Sequence, residues 1–200
     1  DVDVHTRTAS EIFGVPSDRV TSEMRRVAKT VNFGVVYGIS PFGLSESLNI
    51  SRDDAKKYID NYFERHSGVK SYIEQAIRDA KGKGYVTTMF GRKRPVPEVK
   101  SQNTNTRLLG ERLATNSPVQ GTAADIIKIA MINIWDKFRA EGFRAKMILQ
   151  VHDELVFEVP ENELHRIKKI VQENMENAAS LSVPLNVEIG YGKNWAEAHG

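Results

Sequence analysis

The sequence predicts an α+β fold, helical in its first half and mixed in its second. Three observations carry this. Up to about residue 84, amphipathic runs of helical length alternate with helix stops. Lys146–Val151 and Leu155–Val159 are short apolar runs joined around His152–Asp153–Glu154, the pattern of two antiparallel strands. Leu164, Ile167, Val171, Met175 and Ala178 then recur at helical spacing, a stripe suited to covering that sheet.

The elements follow in order. Residues 1–20 carry Val4, Ala9, Ile12 and Phe13 on an amphipathic pattern that ends in a turn at Gly14–Val15–Pro16–Ser17. Thr21 or Ser22 caps the next helix, Glu23 suits its positive end, and Gly38 with Pro41 closes it. Ser51 with Asp54 resembles a capping box and opens a helix through about His66. Another helix follows Gly68, with Val69, Ile73, Ala76, Ile77 and Ala80 on one face, and ends at Gly82–Lys83–Gly84. Tyr85–Met89 reads as a strand, and with Gly91 and Arg92–Lys93–Arg94–Pro95 it suggests an exposed basic hairpin. Asn105–Glu141 reads as helical, with Pro118 permitting a break. Leu185–Ile189 reads as a final strand before a Gly-rich tail.

Composition narrows the chemistry. Of 200 residues, 40% are apolar and 27% charged, ordinary values for a chain with a real core. A net charge of +2 means that a nucleic-acid partner must meet a local basic surface, since there is no global positive field. Zero cysteines exclude disulfides, thiolate zinc sites and cysteine nucleophiles, and fit a reducing cytosol. With no apolar run of membrane length and no signal peptide, the expectation is a soluble, cytoplasmic protein with no membrane partner. The chain starts at Asp1 without an initiator methionine, as expected of a processed chain or a piece of something longer.

Arg25, Lys29, Phe33 and Tyr37 recur every fourth residue. On a helix each such step overshoots a turn by ~40° and climbs ~6 Å, so the four share one stripe ~18 Å long. It offers two cations, a flat apolar ring, then a ring with a hydroxyl. A nucleoside triphosphate has the same order of parts, with phosphates that bind cations and a sugar and base that pack on rings. An ordinary amphipathic helix would also satisfy the spacing.

Two further segments bear on that choice. Asp153 and Glu154 sit where two apolar strands meet, held by the sheet yet exposed at its end. Hard cations such as Mg²⁺ take carboxylate, phosphate and water oxygens, and pairs of such ions serve phosphoryl transfer; a polar turn is the plainer alternative. Arg112, Asn116 and Gln120 carry donors able to reach minor-groove acceptors that every base pair shares. A polar helix end broken by Pro118 would look the same.

Together, Arg25–x–x–x–Lys29–x–x–x–Phe33–Gly34–x–x–Tyr37–Gly38 and Gln150–Val151–His152–Asp153–Glu154 resemble motifs B and C of the family A DNA polymerases, the bacterial DNA polymerase I group. Asp3–Val4–His5–Thr6 and Asn194–Trp195 extend the likeness along the whole chain. The resemblance implies that residues 1–100 are mostly the helical fingers subdomain and 101–200 the C-terminal part of an antiparallel palm sheet covered by helices. It implies that His5, Arg25 and Lys29 hold the dNTP phosphates, with Lys29 a proton donor to departing pyrophosphate. Phe33 would pack on the deoxyribose and Tyr37 lie near the templating base. Arg112, Asn116, Gln120 and His152 would contact primer–template DNA. Asp153 would bind the catalytic Mg²⁺ ions, two in number, with Glu154 assisting. Gly34, Gly38 and Gly43 would be flexible points in fingers closure.

The family's motif A, with a second metal-binding aspartate, has no counterpart before His5, and a thumb is missing as well. The expectation is therefore a fragment, inactive alone, whose partners are DNA, dNTPs and the remaining upstream polymerase segment. Two rivals stand beside it: a phage-type single-subunit RNA polymerase fragment, and a non-catalytic nucleotide- or nucleic-acid-binding module. Phe33 followed by Gly34, and Glu154 after His152–Asp153, favour the DNA enzyme.

Overall fold

The computed structural model describes residues 3–199; Asp1, with the chain start read above, lies outside them. The chain forms two compact units, one running to Val119 and one from Gln120 onward.

Caps set the elements of the first unit. Helix α1 (Val4–Phe13) starts at Asp3, whose carboxylate accepts the His5 N–H, and stops at Gly14 with φ 64°. Its Ala9 is buried, but Val4 is exposed on the first turn instead of joining the apolar face. Helix α2 (Ser22–Val36) starts at Thr21, whose hydroxyl accepts from Met24 N–H at 3.2 Å. Helix α3 (Pro41–Leu48) was not expected, because Pro41 reads as a stop. Ser40 accepts the Gly43 N–H at 3.1 Å and Pro41 takes the first helical position, which together start a helix too short to display a stripe. Helix α4 (Arg52–Arg65) opens at Ser51 as the capping pattern requires, with Oγ accepting from Asp54 N–H at 3.0 Å. Helix α5 (Ser67–Lys83) begins just before Gly68 and ends at Gly84, φ 80°.

Val31 and Val35 of α2 pack with Leu44, Ala55 and Tyr62 into one core. Full burial of a side chain like Leu44 contributes about 1.5–3 kcal/mol. This core fixes which face of α2 points away from it. A second core gathers Ala80, Val86, Val96, Val99 and Ala114 under the basic hairpin. There β1 (Tyr85–Thr87) and β2 (Lys93–Pro95) pair antiparallel with Val86 opposite Arg94. The first strand is shorter than the run Tyr85–Met89, because the chain leaves the ladder at Thr88 for a turn through Gly91, φ 80°.

Helix α6 (Thr104–Glu141) runs without a break through Pro118. Pro118 has no N–H to give the Ala114 carbonyl. Tertiary contacts hold the helix there: Ala114, Thr115 and Ser117 are buried, and the Tyr72 hydroxyl donates to the Thr115 carbonyl at 2.9 Å.

In the second unit β3 (Lys146–Val151) pairs with β4 (Glu154–Glu158), Val151 opposite Glu154, with a register shift at Ile148. Helix α7 (Leu164–Glu176) buries Ile167, Ile170 and Val171 with Ile134 and Phe138, against Met147, Leu155 and Phe157 of the hairpin. The α+β class is as expected. The final strand is not: among the described residues Leu185–Ile189 joins no ladder. Its alternation survives, with Leu185, Val187 and Ile189 half-buried and Asn186 and Glu188 exposed. The Val187 N–H is satisfied by the Glu176 carboxylate at 3.3 Å, so the period of two reports burial without pairing. A short helix, α8 (Trp195–His199), ends the described chain. Among the described residues no helix is long and apolar enough to cross a membrane.

Candidate functional site

Burial of Ala28, Val31 and Val35 turns Arg25, Lys29, Phe33 and Tyr37 to the exposed face of α2. The expected stripe therefore exists as a surface. The Phe33 and Tyr37 rings lie nearly parallel, 12° apart with centroids at 6.4 Å, and are 48% and 45% exposed, leaving ring surface open to a ligand. Lys29 has no ion pair or hydrogen bond among the described residues, so its ammonium is available to an anion. Arg25 is already engaged: Asp3 accepts from its Nε at 3.1 Å and its Nη2 at 3.2 Å. Arg25 and then Thr6 hold the Asp3 carboxyl far below the usual carboxylate range.

His5 joins this stripe from α1. Its ring lies 5.6 Å from the Phe33 ring, and its Nδ1 accepts from Asn32 Nδ2 at 3.0 Å. In the sequence no role attaches to Asp3, which enters only as part of Asp3–Val4–His5–Thr6, or to Asn32. The signal for Asp3 was its place before a helix; Asn32 gave none beyond lying inside the motif.

At the far end of α2, Gly38 adopts φ 75° and a side chain there would meet Arg112 Cγ at 3.1 Å. Arg112 on α6 is thus brought against the end of the stripe. Gly34 and Gly43 are pressed on Ile39, at 2.8 and 3.2 Å from where their Cβ atoms would lie, so close packing explains those two glycines. Asn116 is half-buried and Gln120 exposed on α6, with Gln120 belonging to the second unit.

The second unit carries the carboxylates. His152 and Asp153 form a two-residue hairpin loop in which His152 adopts φ 51°. A positive first φ fits the strand twist, and a non-glycine there costs of order 1–3 kcal/mol. The loop holds Asp153 at the tip, exposed and with no side-chain partner among the described residues. Glu154 starts β4, and its Oε2 lies 3.0 Å from Nε2 of His199, a contact with no forewarning in the sequence. An exposed carboxylate free of partners suits a hard divalent ion as one ligand. Among the described residues no three or more His, Asp or Glu side chains gather into a group that could hold a metal ion.

Known proteins resemble this chain along nearly all of its length. DNA polymerase I of Streptococcus pneumoniae (strain ATCC BAA-255 / R6) is 54% identical over 197 residues, 98% of this chain and 22% of that protein. DNA polymerase I of Bacillus subtilis (strain 168) is 51% identical over 198 residues, 99% of this chain and 22% of that protein. The chain thus spans about a fifth of the length of these relatives. The POL domain of Pol1 from M. smegmatis, in complex with DNA primer-template and dNTP, superposes with a TM-score of 0.94 at 45% identity, covering 99% of this chain and 35% of that one. Residues 1–197 match the profile of DNA polymerase family A, and with the two motifs standing as exposed stripe and carboxylate hairpin, the chain belongs to that family.

Proposed function

We propose that this chain serves template-directed DNA synthesis, in which deoxynucleotides from dNTPs are added to a primer 3′-hydroxyl. The observation that carries the proposal is the exposed face of α2, where Lys29 has no partner among the described residues and the Phe33 and Tyr37 rings are stacked and half-open. Arg25, Lys29 and His5 bind triphosphate oxygens there, and Lys29 donates a proton to the departing pyrophosphate. Phe33 packs on the sugar, and Tyr37 sits near the templating base. Arg112, Asn116, Gln120 and His152 contact the primer–template. The primer-template and dNTP bound to the mycobacterial relative support both partners.

Asp153 holds Mg²⁺ with Glu154 assisting, and further ligands come from another polymerase segment. When bound, two such ions activate the attacking hydroxyl and stabilise the leaving group. In this reading residues 1–100 are mostly fingers and residues 101–200 the C-terminal palm, working on DNA in the bacterial cytosol or nucleoid.

The test is steady-state dNTP incorporation by this chain assembled with an upstream polymerase half. Loss of a positioned proton donor costs typically 10²–10⁴-fold, so Lys29→Ala should lower kcat/KM for dNTP by at least about 100-fold. An unchanged kcat/KM would overturn the assignment of α2.

A further inference from the structure

Asn32 stands beside the stripe without belonging to it, and its two amide atoms have unequal fates. Nδ2 donates to His5 Nδ1 at 3.0 Å, while Oδ1 is buried with no hydrogen-bond partner among the described residues. An orphaned buried carbonyl is a standing cost to the fold, and leucine would fill similar space without it. Packing alone therefore gives no reason for an amide here.

The reason lies in the imidazole. A neutral histidine carries one ring hydrogen, and the nitrogen that accepts a hydrogen bond is the one without it. Because Nδ1 accepts from Asn32, the hydrogen sits on Nε2, which no other described group engages. The His5 backbone is held from the other side by its N–H to Asp3 Oδ1 at 2.9 Å, and the ring rests near that of Phe33. We propose that Asn32 is a positioning residue that fixes His5 in its Nε2–H tautomer, so that this histidine presents a hydrogen-bond donor to the triphosphate. The inference rests on the reading of the α2 face as a triphosphate site.

Two measurements on the full chain test it. The first is ¹⁵N NMR of the His5 ring at pH ~8, above the titration range of free imidazole. The Nε2–H tautomer is expected, and the Nδ1–H tautomer would overturn the proposal without any variant being made. The second is calorimetric titration with inorganic tripolyphosphate. Asn32→Leu should fold as well as the parent chain and bind about 10-fold more weakly, as for one lost hydrogen bond to a charged group. In a His5→Ala background the same substitution should change nothing further, because its effect passes through the imidazole. Additive losses in the double variant would instead mark a general structural role and overturn the inference. If tripolyphosphate affinity ignores both Lys29→Ala and Arg25→Ala, the triphosphate reading itself fails and takes this inference with it.

Discussion

Asp3 and Arg25, 22 positions apart, meet in a two-pronged ion pair, Oδ2 to Nε at 3.1 Å and Oδ1 to Nη2 at 3.2 Å. The same carboxylate accepts the His5 N–H at 2.9 Å and the Thr6 hydroxyl, so one side chain caps α1 and ties it to α2. That tie sets the Arg25 guanidinium at the head of the stripe and His5 beside Phe33. Paired and capping roles both favour the ionised acid.

Acid should weaken this tie. The Asp3 carboxyl is held below its ordinary value, chiefly by Arg25, so its contribution is complete above the unfolded carboxylate range of ~3.9. It declines as the pH falls below that range toward the lower folded value. Denaturant melts from pH ~6 down to ~2 should show a stability loss below ~4 that is smaller in Asp3→Asn. Equal acid sensitivity in both would deny Asp3 this part.

The core behind the stripe should be unforgiving. Leu44 is fully buried with Val31 and Val35, which hold the opposite face of α2. Leu44→Ala should cost about 2–5 kcal/mol in denaturant melts, through lost transfer energy and a residual cavity. A loss below ~1 kcal/mol would mean that the core collapses around the gap.

His199 and Glu154 should behave as a half-exposed pair, since their side chains are 50% and 51% accessible. Such pairs contribute roughly 0–1 kcal/mol and are screened by salt. His199→Ala should lower Tm slightly at low ionic strength and not at all near ~1 M salt. A large, salt-independent drop would assign α8 a packing role that the Trp195–His199 stacking alone does not suggest.

Much of this was legible in the sequence because local chemistry dictates it. Thr21, Ser51, Gly14 and Gly84 cap helices through their own side chains or backbone freedom, so the boundaries could be read. The four-residue spacing of Arg25 to Tyr37 and the polar gap between β3 and β4 drew attention to Arg25, Lys29, Phe33, Tyr37, Asp153 and Glu154, whereas His5 and the role of each residue came only from the family resemblance. What escaped depends on tertiary partners. Helix α3 is too short for a stripe, and Pro118 is tolerated only because packing and Tyr72 surround its turn. Leu185–Ile189 alternates like a strand but finds no ladder among the described residues. Asn32 and His199 matter through contacts with residues 27 and 45 positions away, and no local pattern announces such pairs.

The most direct measurement is templated primer extension with Mg²⁺ and the four dNTPs. It compares this chain alone, this chain mixed with a separately expressed upstream half of a family A polymerase, and the same mixture carrying Asp153→Ala. Extension only in the mixture, abolished by Asp153→Ala while DNA binding persists, is the predicted result. Extension that survives Asp153→Ala would contradict the assignment of the β3–β4 hairpin as the metal-binding carboxylate site.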